Sequence, residues 1–220
     1  MKAVQLDTIK ENQAKYLSTA VQIAADKKNY AMLNDLVNSM QKITGGKLTE
    51  TQYFNLSKAI VDGVAADSVS AFDSSKYLSG ANLIKSYIAA YPEKPQPYSF
   101  YVRYAKVSDK DTTKGLFIEP ITTQNEFLAK DTAAGNKKSI FANYYYLLIY
   151  YAQYATDAPK EQEYQKAIDI TEKMKALYSD PASEEYQFAD KTGKQLQGSL
   201  EKYQKSKSGG GTSGAGKSQK

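Results

Sequence analysis

The chain has 220 residues, 41% hydrophobic and 24% charged, which is ordinary for a folded protein and excludes a disordered one. It lacks histidine, cysteine and tryptophan, which excludes an imidazole base, a thiolate nucleophile and a conventional zinc site, and with them most hydrolase constellations. Of the formal charge of +5, Lys202, Lys205, Lys207, Lys217 and Lys220 against Glu201 account for about +4, so the first 200 residues carry no net excess suited to phosphate backbones.

From Met1 to Lys28 the chain is polar, with Asp7, Glu11 and Asp26 and no unbroken apolar run, so no leader is read there. The protein is expected to stay inside the cell unless a leader was removed; the missing cysteines leave the compartment open. Apolar residues then recur at spacings of three and four, broken by short polar segments. This periodicity predicts helices over about Leu6–Lys27 and Tyr30–Ile43, the second stopped by Thr44-Gly45-Gly46. Thr49-Glu50-Thr51-Gln52 is a capping-box pattern opening a helix to about Ala66. A helix from near Ser74 to Tyr91 is closed by Pro92, and another covers about Tyr98–Val107.

Asp109 to Thr113 leads into a helix ending near Lys130, in which Pro120 either sits in the first turn or kinks a helix begun at Thr113. After a polar link, Asp131 to Lys138, Ser139 is the expected cap of a helix containing SIFANYYYLLIYYAQYA, too long without a turn signal to be an ordinary strand. Helices follow over about Lys160–Tyr178 and from Asp180-Pro181, read as cap and first-turn proline. In the last, Ala182, Tyr186, Ala189, Gly193, Leu196, Leu200 and Tyr203 share one face. Residues 206–220 have no bulky apolar group and read as a disordered solubilising or tethering tail, a membrane-surface or nucleic-acid role being the weaker alternative. The tail contains GTSGAGKS, Gly211 to Ser218, a letter-for-letter phosphate-loop match. With no strand before it and two residues after it, it lacks the helix that would present amides to phosphates.

The helices come in pairs, and their packing positions repeat. Leu17, Ala20, Val21, Ala24 return as Tyr53, Leu56, Ser57, Ile60, then Tyr98, Tyr101, Val102, Ala105, then Tyr144, Leu147, Leu148, Tyr151. Second helices carry Leu33, Val37, Met40; Gly80, Ile84, Tyr87; and Ala167, Thr171, Met174. The intervals are about 36, 45 and 46 residues. This frame resembles the tetratricopeptide repeat (TPR) over about residues 5 to 178, although that repeat is usually about 34 residues long. It is more similar to the long-repeat TPR proteins of the Bacteroidetes cell envelope, through Asp109, Asp111, Thr112, Gly115, Leu116 and Pro120 after Arg103-Tyr104-Ala105.

The resemblance implies an all-α, right-handed α-solenoid of TPR-like hairpins, at about 5–43, 49–91, 98–130 and 139–178, with a long capping helix at 181–205. It favours the periplasm or envelope if a leader was removed. It further implies a groove lined by first helices and binding a partner segment, since stacked repeats leave an extended binding surface. Carried onto this chain, the groove residues are Ser18, Thr19 and Gln22; Asn55, Lys58 and Asp62; Phe100, Arg103 and Lys106; and Tyr145, Tyr146, Ile149 and Gln153. The middle set is cationic and the last aromatic, suited to an extended segment with an acidic group and apolar side chains.

The family's dicarboxylate clamp is not matched: of its positions only Asn55 fits, with Ser18, Gln22, Gln96 and Phe100 at the others. The tyrosine run admits three readings: helix packing, peptide groove, or stacking on sugars, the last making a glycan-binding envelope protein the alternative function. Glu161-Gln162-Glu163 and Glu184-Glu185 point apart on a helix and read as solvated faces rather than an acid–base pair. The expectation is therefore a non-enzymatic protein-binding or assembly scaffold with no cofactor and no catalytic or metal residues, whose partner is a protein or peptide segment and not nucleic acid.

Overall fold

The computed structural model of the chain describes residues 7–27, 30–43, 45, 48–67, 71–131, 133–157 and 161–209. Gly211 to Ser218 and the expected helix start at Leu6 lie outside them. Among the described residues there are nine α-helices and no strand. They fall into two compact units, Met1–Phe127 and Leu128–Lys220. None of the described helices is long and apolar enough to cross a membrane.

The first unit contains α1 (Lys10–Asp26), α2 (Tyr30–Ile43), α3 (Glu50–Ala66), α4 (Ser74–Ala90), α5 (Pro95–Ser108) and α6 (Ile118–Leu128). The capping box forms as expected: the Gln52 amide N–H donates to the Thr49 hydroxyl, and the Thr49 N–H donates to the Gln52 side-chain oxygen at 2.8 Å. Asp73 caps α4 by accepting from the Ser75 and Lys76 amides. α5 begins three residues before the expected Tyr98, because Pro95 supplies a preset first-turn φ where no N–H is needed. Pro120 lies in the first turn of α6, resolving its two readings in favour of a late start.

From α1 to α5 each helix packs on its successor, and α1 on α3, α2 on α4 and α3 on α5 as well. The repeated frame supplies these contacts. Leu17, Val21 and Ala24, then Tyr53, Leu56, Ser57 and Ile60, then Tyr98, Tyr101, Val102 and Ala105 are all buried, as are Gly80, Ile84 and Tyr87 of α4. Val37 and Met40 of α2 are buried too, while the side chain of Leu33 is outside the described residues. Burying such side chains is worth about 1.5–3 kcal/mol each. Aromatic stacking threads the core: Tyr53 lies parallel to Tyr87 at 5.3 Å, and Tyr77 to Tyr104 at 5.4 Å. α6 is fastened by buried Phe117 and Ile121, by Phe127 stacked on Tyr98 at 4.2 Å, and by a 2.7 Å ion pair between Glu119 and Lys85.

The second unit contains α7 (Ala134–Asp157), α8 (Glu161–Leu177) and α9 (Glu184–Gly209), with α8 packed on both others. Leu147, Leu148, Ala167, Ile170, Thr171, Met174, Ala189 and Leu200 are buried between them, with Gly193. Two expected caps are corrected. Ser139 is inside α7, its hydroxyl donating to the Gly135 carbonyl, because the helix starts five residues earlier. Asp180 makes a turn by accepting from the Ala182 amide, and Ser183 is the residue whose hydroxyl accepts from Tyr186 N–H. α9 consequently starts at Glu184, leaves Ala182 exposed, and continues past Ser206 to Gly209.

Candidate functional site

α3 and α5, the first helices of consecutive expected pairs, lie against each other, and their solvent side carries most of the expected middle set. Asp62 accepts from Lys58 one turn earlier on α3, at 2.5 Å, and from Arg103 on α5, at 3.0 Å. The expected cationic strip is therefore a triad in which one carboxylate takes both cations. All three side chains are solvent-exposed, so the pairs fix orientation more than they stabilise the fold. One turn away Phe100 meets Phe54 edge to face at 5.2 Å. Phe54, absent from the expected set, keeps 36% of its surface exposed. Asn55 is exposed, while Lys106 is half-buried and held below the ordinary lysine pKa by that burial.

The other expected residues lie elsewhere. Ser18 and Thr19 are exposed on α1, the Thr19 hydroxyl donating to the Lys15 carbonyl; the side chain of Gln22 lies outside the described residues. Tyr145, Tyr146, Ile149 and Gln153 belong to the second unit. There Tyr145 and Ile149 are exposed, at 44% and 48%, Gln153 is exposed and Tyr146 half-buried. Tyr145 leans on Phe188 of α9 at 5.6 Å.

A cavity of about 260 Å³ occurs in the first unit where the end of α3, the start of α4, the end of α5 and the α5–α6 loop meet. Its wall is apolar: Ile60, Val64, Phe72, Tyr77, Tyr104 and Val107. Both tyrosine hydroxyls are engaged with backbone, Tyr104 donating to the Lys76 carbonyl at 3.1 Å and Tyr77 to the Leu116 carbonyl at 3.3 Å. Burial pushes the Tyr77 phenol up to about 12 and raises that of Tyr104, so the wall stays neutral. The rim carries Lys76, Lys110 and Lys114 with Asp67, Asp73 and Asp111.

The loop that shapes this rim is ordered by Asp109. Its buried carboxylate accepts from Lys114 N–H at 3.1 Å and Leu116 N–H at 3.2 Å, and Thr112 and Gly115 take left-handed backbone, φ 56° and 65°. Asp109, Thr112 and Gly115 are three of the residues that carry the family resemblance. The cavity itself had no sequence signal, because its wall joins α3, α4 and α5. Comparison with protein-family models, curated proteins and solved structures gives no match.

Proposed function

We propose that the chain is a non-enzymatic interaction scaffold of the tetratricopeptide-like, α-solenoid kind, whose α1, α3 and α5 side holds an extended segment of a protein partner. The observation that carries this reading is the Phe54–Phe100 pair set one turn from the Lys58–Asp62–Arg103 triad. Two neighbouring first helices there offer an apolar foothold beside ion-pairing groups, the combination an extended acidic and apolar segment requires. From α1 to α5, packing of helices on their next and next-but-one neighbours supports it, since stacked hairpins bury their apolar sides in that way. The glycan alternative has less support. Among the described residues, the exposed tyrosines are Tyr16 and Tyr145, and they belong to different units.

Peptides selected from a random library on the full chain test the reading. Enrichment of acidic residues beside apolar ones is expected, with Phe54→Ala and Arg103→Glu each weakening a selected peptide about tenfold or more. Stability should change by less than about 1 kcal/mol in the Arg103 variant, because its ion pair is exposed. Selected peptides whose affinity neither variant alters would overturn it. Saturable oligosaccharide binding lost in Tyr145→Ala would favour the alternative.

A further inference from the structure

We infer that the cavity between α3, α4, α5 and the α5–α6 loop is a binding site for a carboxylate carried on a flat apolar body. The inference is independent of the α1, α3 and α5 side. The wall sets the apolar half of the ligand. Phe72, Tyr77 and Tyr104 form a continuous aromatic lining, Phe72 tilted on Tyr77 at 6.0 Å and Tyr77 stacked on Tyr104. With the phenol hydroxyls bonded to backbone carbonyls, the rings offer only their faces and edges. A volume of about 260 Å³ falls just under the range of drug-sized pockets and accommodates one ring system with a short chain.

The rim sets the polar half, although by formal charge it is balanced. Two of its three carboxylates are already committed. Asp73 accepts the Ser75 amide and hydroxyl and the Lys76 amide, and Asp111 accepts the Thr113 amide and hydroxyl. These bonds hold both carboxyls below the usual aspartate pKa, the hydroxyl bond being the main cause in each. The lysines are committed far less. The Lys76 ammonium stands 3.9 Å from Asp73, and that of Lys114 makes long contacts only, 3.5 Å to Asp111 and 3.4 Å to the Thr113 hydroxyl, while standing 5.1 Å from the Phe72 ring. The Lys110 ammonium donates to a neutral backbone carbonyl, that of Asp67. An ammonium has three donors, so Lys76 and Lys110 keep spare donor capacity at the mouth of an apolar hole, and Lys114 can exchange its long contacts for a better acceptor there. The first α4 amides are occupied by Asp73, so an anion here is held by lysine side chains. A carboxylate meets them while its ring or aliphatic body fills the wall.

Two sources present this chemistry, the C-terminal residue of a peptide and a free aryl-alkanoate. The test uses the full chain. Calorimetric titration is made with 3-phenylpropionate and with hexapeptides ending in phenylalanine, as free acid and as amide. Expected is saturable binding of at least one acid, with the peptide amide, or phenylpropionamide for the small probe, at least tenfold weaker. Binding confined to the peptide acid identifies a chain terminus as the source, and binding confined to phenylpropionate identifies a metabolite-sized acid. Lys110→Gln with Lys114→Gln should weaken the acid at least tenfold while the helical circular dichroism is unchanged; Val107→Phe, which fills the wall, should abolish binding. If the filling variant fails to fold, the lysine variant decides. Absence of binding by both acids at millimolar concentration, equal affinity for acid and amide, or indifference to the lysine variant would overturn the inference. Phe54→Ala should leave this binding intact, which separates the site from the one proposed above.

Discussion

Tyr104 of α5 lies directly on the backbone of α4 at Gly80: a Cβ at that glycine would stand 2.4 Å from the phenol oxygen and 2.5 Å from the carbon bearing it. Gly80→Ala brings two opposed effects. Helix propensity favours alanine by about 1 kcal/mol. Against it, Tyr104 is buried, stacked on Tyr77 and bonded to the Lys76 carbonyl, so it cannot swing away without losing both contacts. Overpacking of this kind costs about 1–3 kcal/mol. Urea unfolding should show net destabilisation of the variant, and a more stable Gly80→Ala protein would refute the close approach.

In the second unit a Cβ at Gly193 would meet the Thr171 hydroxyl at 2.7 Å, and that hydroxyl is fixed by donating to the Ile168 carbonyl. Gly193→Ala should therefore destabilise the α8–α9 contact, by about 1–2 kcal/mol. Thr171→Ala removes the obstructing oxygen, so the double variant should recover most of the loss. A double-mutant cycle read by thermal unfolding measures the coupling; additive effects would contradict the geometry.

Asp109→Ala removes the buried acceptor of the Lys114 and Leu116 amides and leaves two loop N–H groups without their partner. Hydrogen bonds to a charged group contribute about 1.5–3 kcal/mol, so a loss of about 2–3 kcal/mol is expected. Hydrogen exchange at those amides should accelerate sharply. Unchanged exchange there would mean the carboxylate does not order the loop.

Stability should fall on the alkaline side. An unfolded tyrosine titrates near 10, whereas burial, followed by the neighbouring Tyr101, carries Tyr77 up to about 12; Lys85 is also carried to about 12, chiefly by its bond to Glu119. The folded state therefore holds protons that the unfolded chain has released. Their stabilisation is complete below about pH 10 and is lost as pH rises towards 12. Melting temperatures measured between pH 9 and 12 should decline over that window, and less steeply in Tyr77→Phe. A flat profile would contradict it.

The helices were legible because their signal is local. Three- and four-residue spacing, the capping box at Thr49 and the first-turn prolines each act within a few residues, and the repeated frame picked out positions such as Leu56, Tyr101 and Met174 that are indeed buried. The caps at Ser139 and Asp180 misled because hydroxyl and carboxylate residues also favour turns just outside, or bond inside, a helix. The Asp62 triad and the cavity were not legible as assemblies. Arg103 reaches a carboxylate 41 positions earlier in the chain, and Tyr104 meets Tyr77 only because Gly80 lets α5 approach α4. Such juxtapositions depend on helix packing, which no spacing within one helix records.

Because α1 through α5 lean no further along the chain than the next-but-one helix, the contacts within this stretch close short loops only. Topologies of this kind fold quickly. Emerging from the ribosome, α1 can cover its apolar side once α2 and α3 exist, so this part of the chain can assemble in the order of its synthesis.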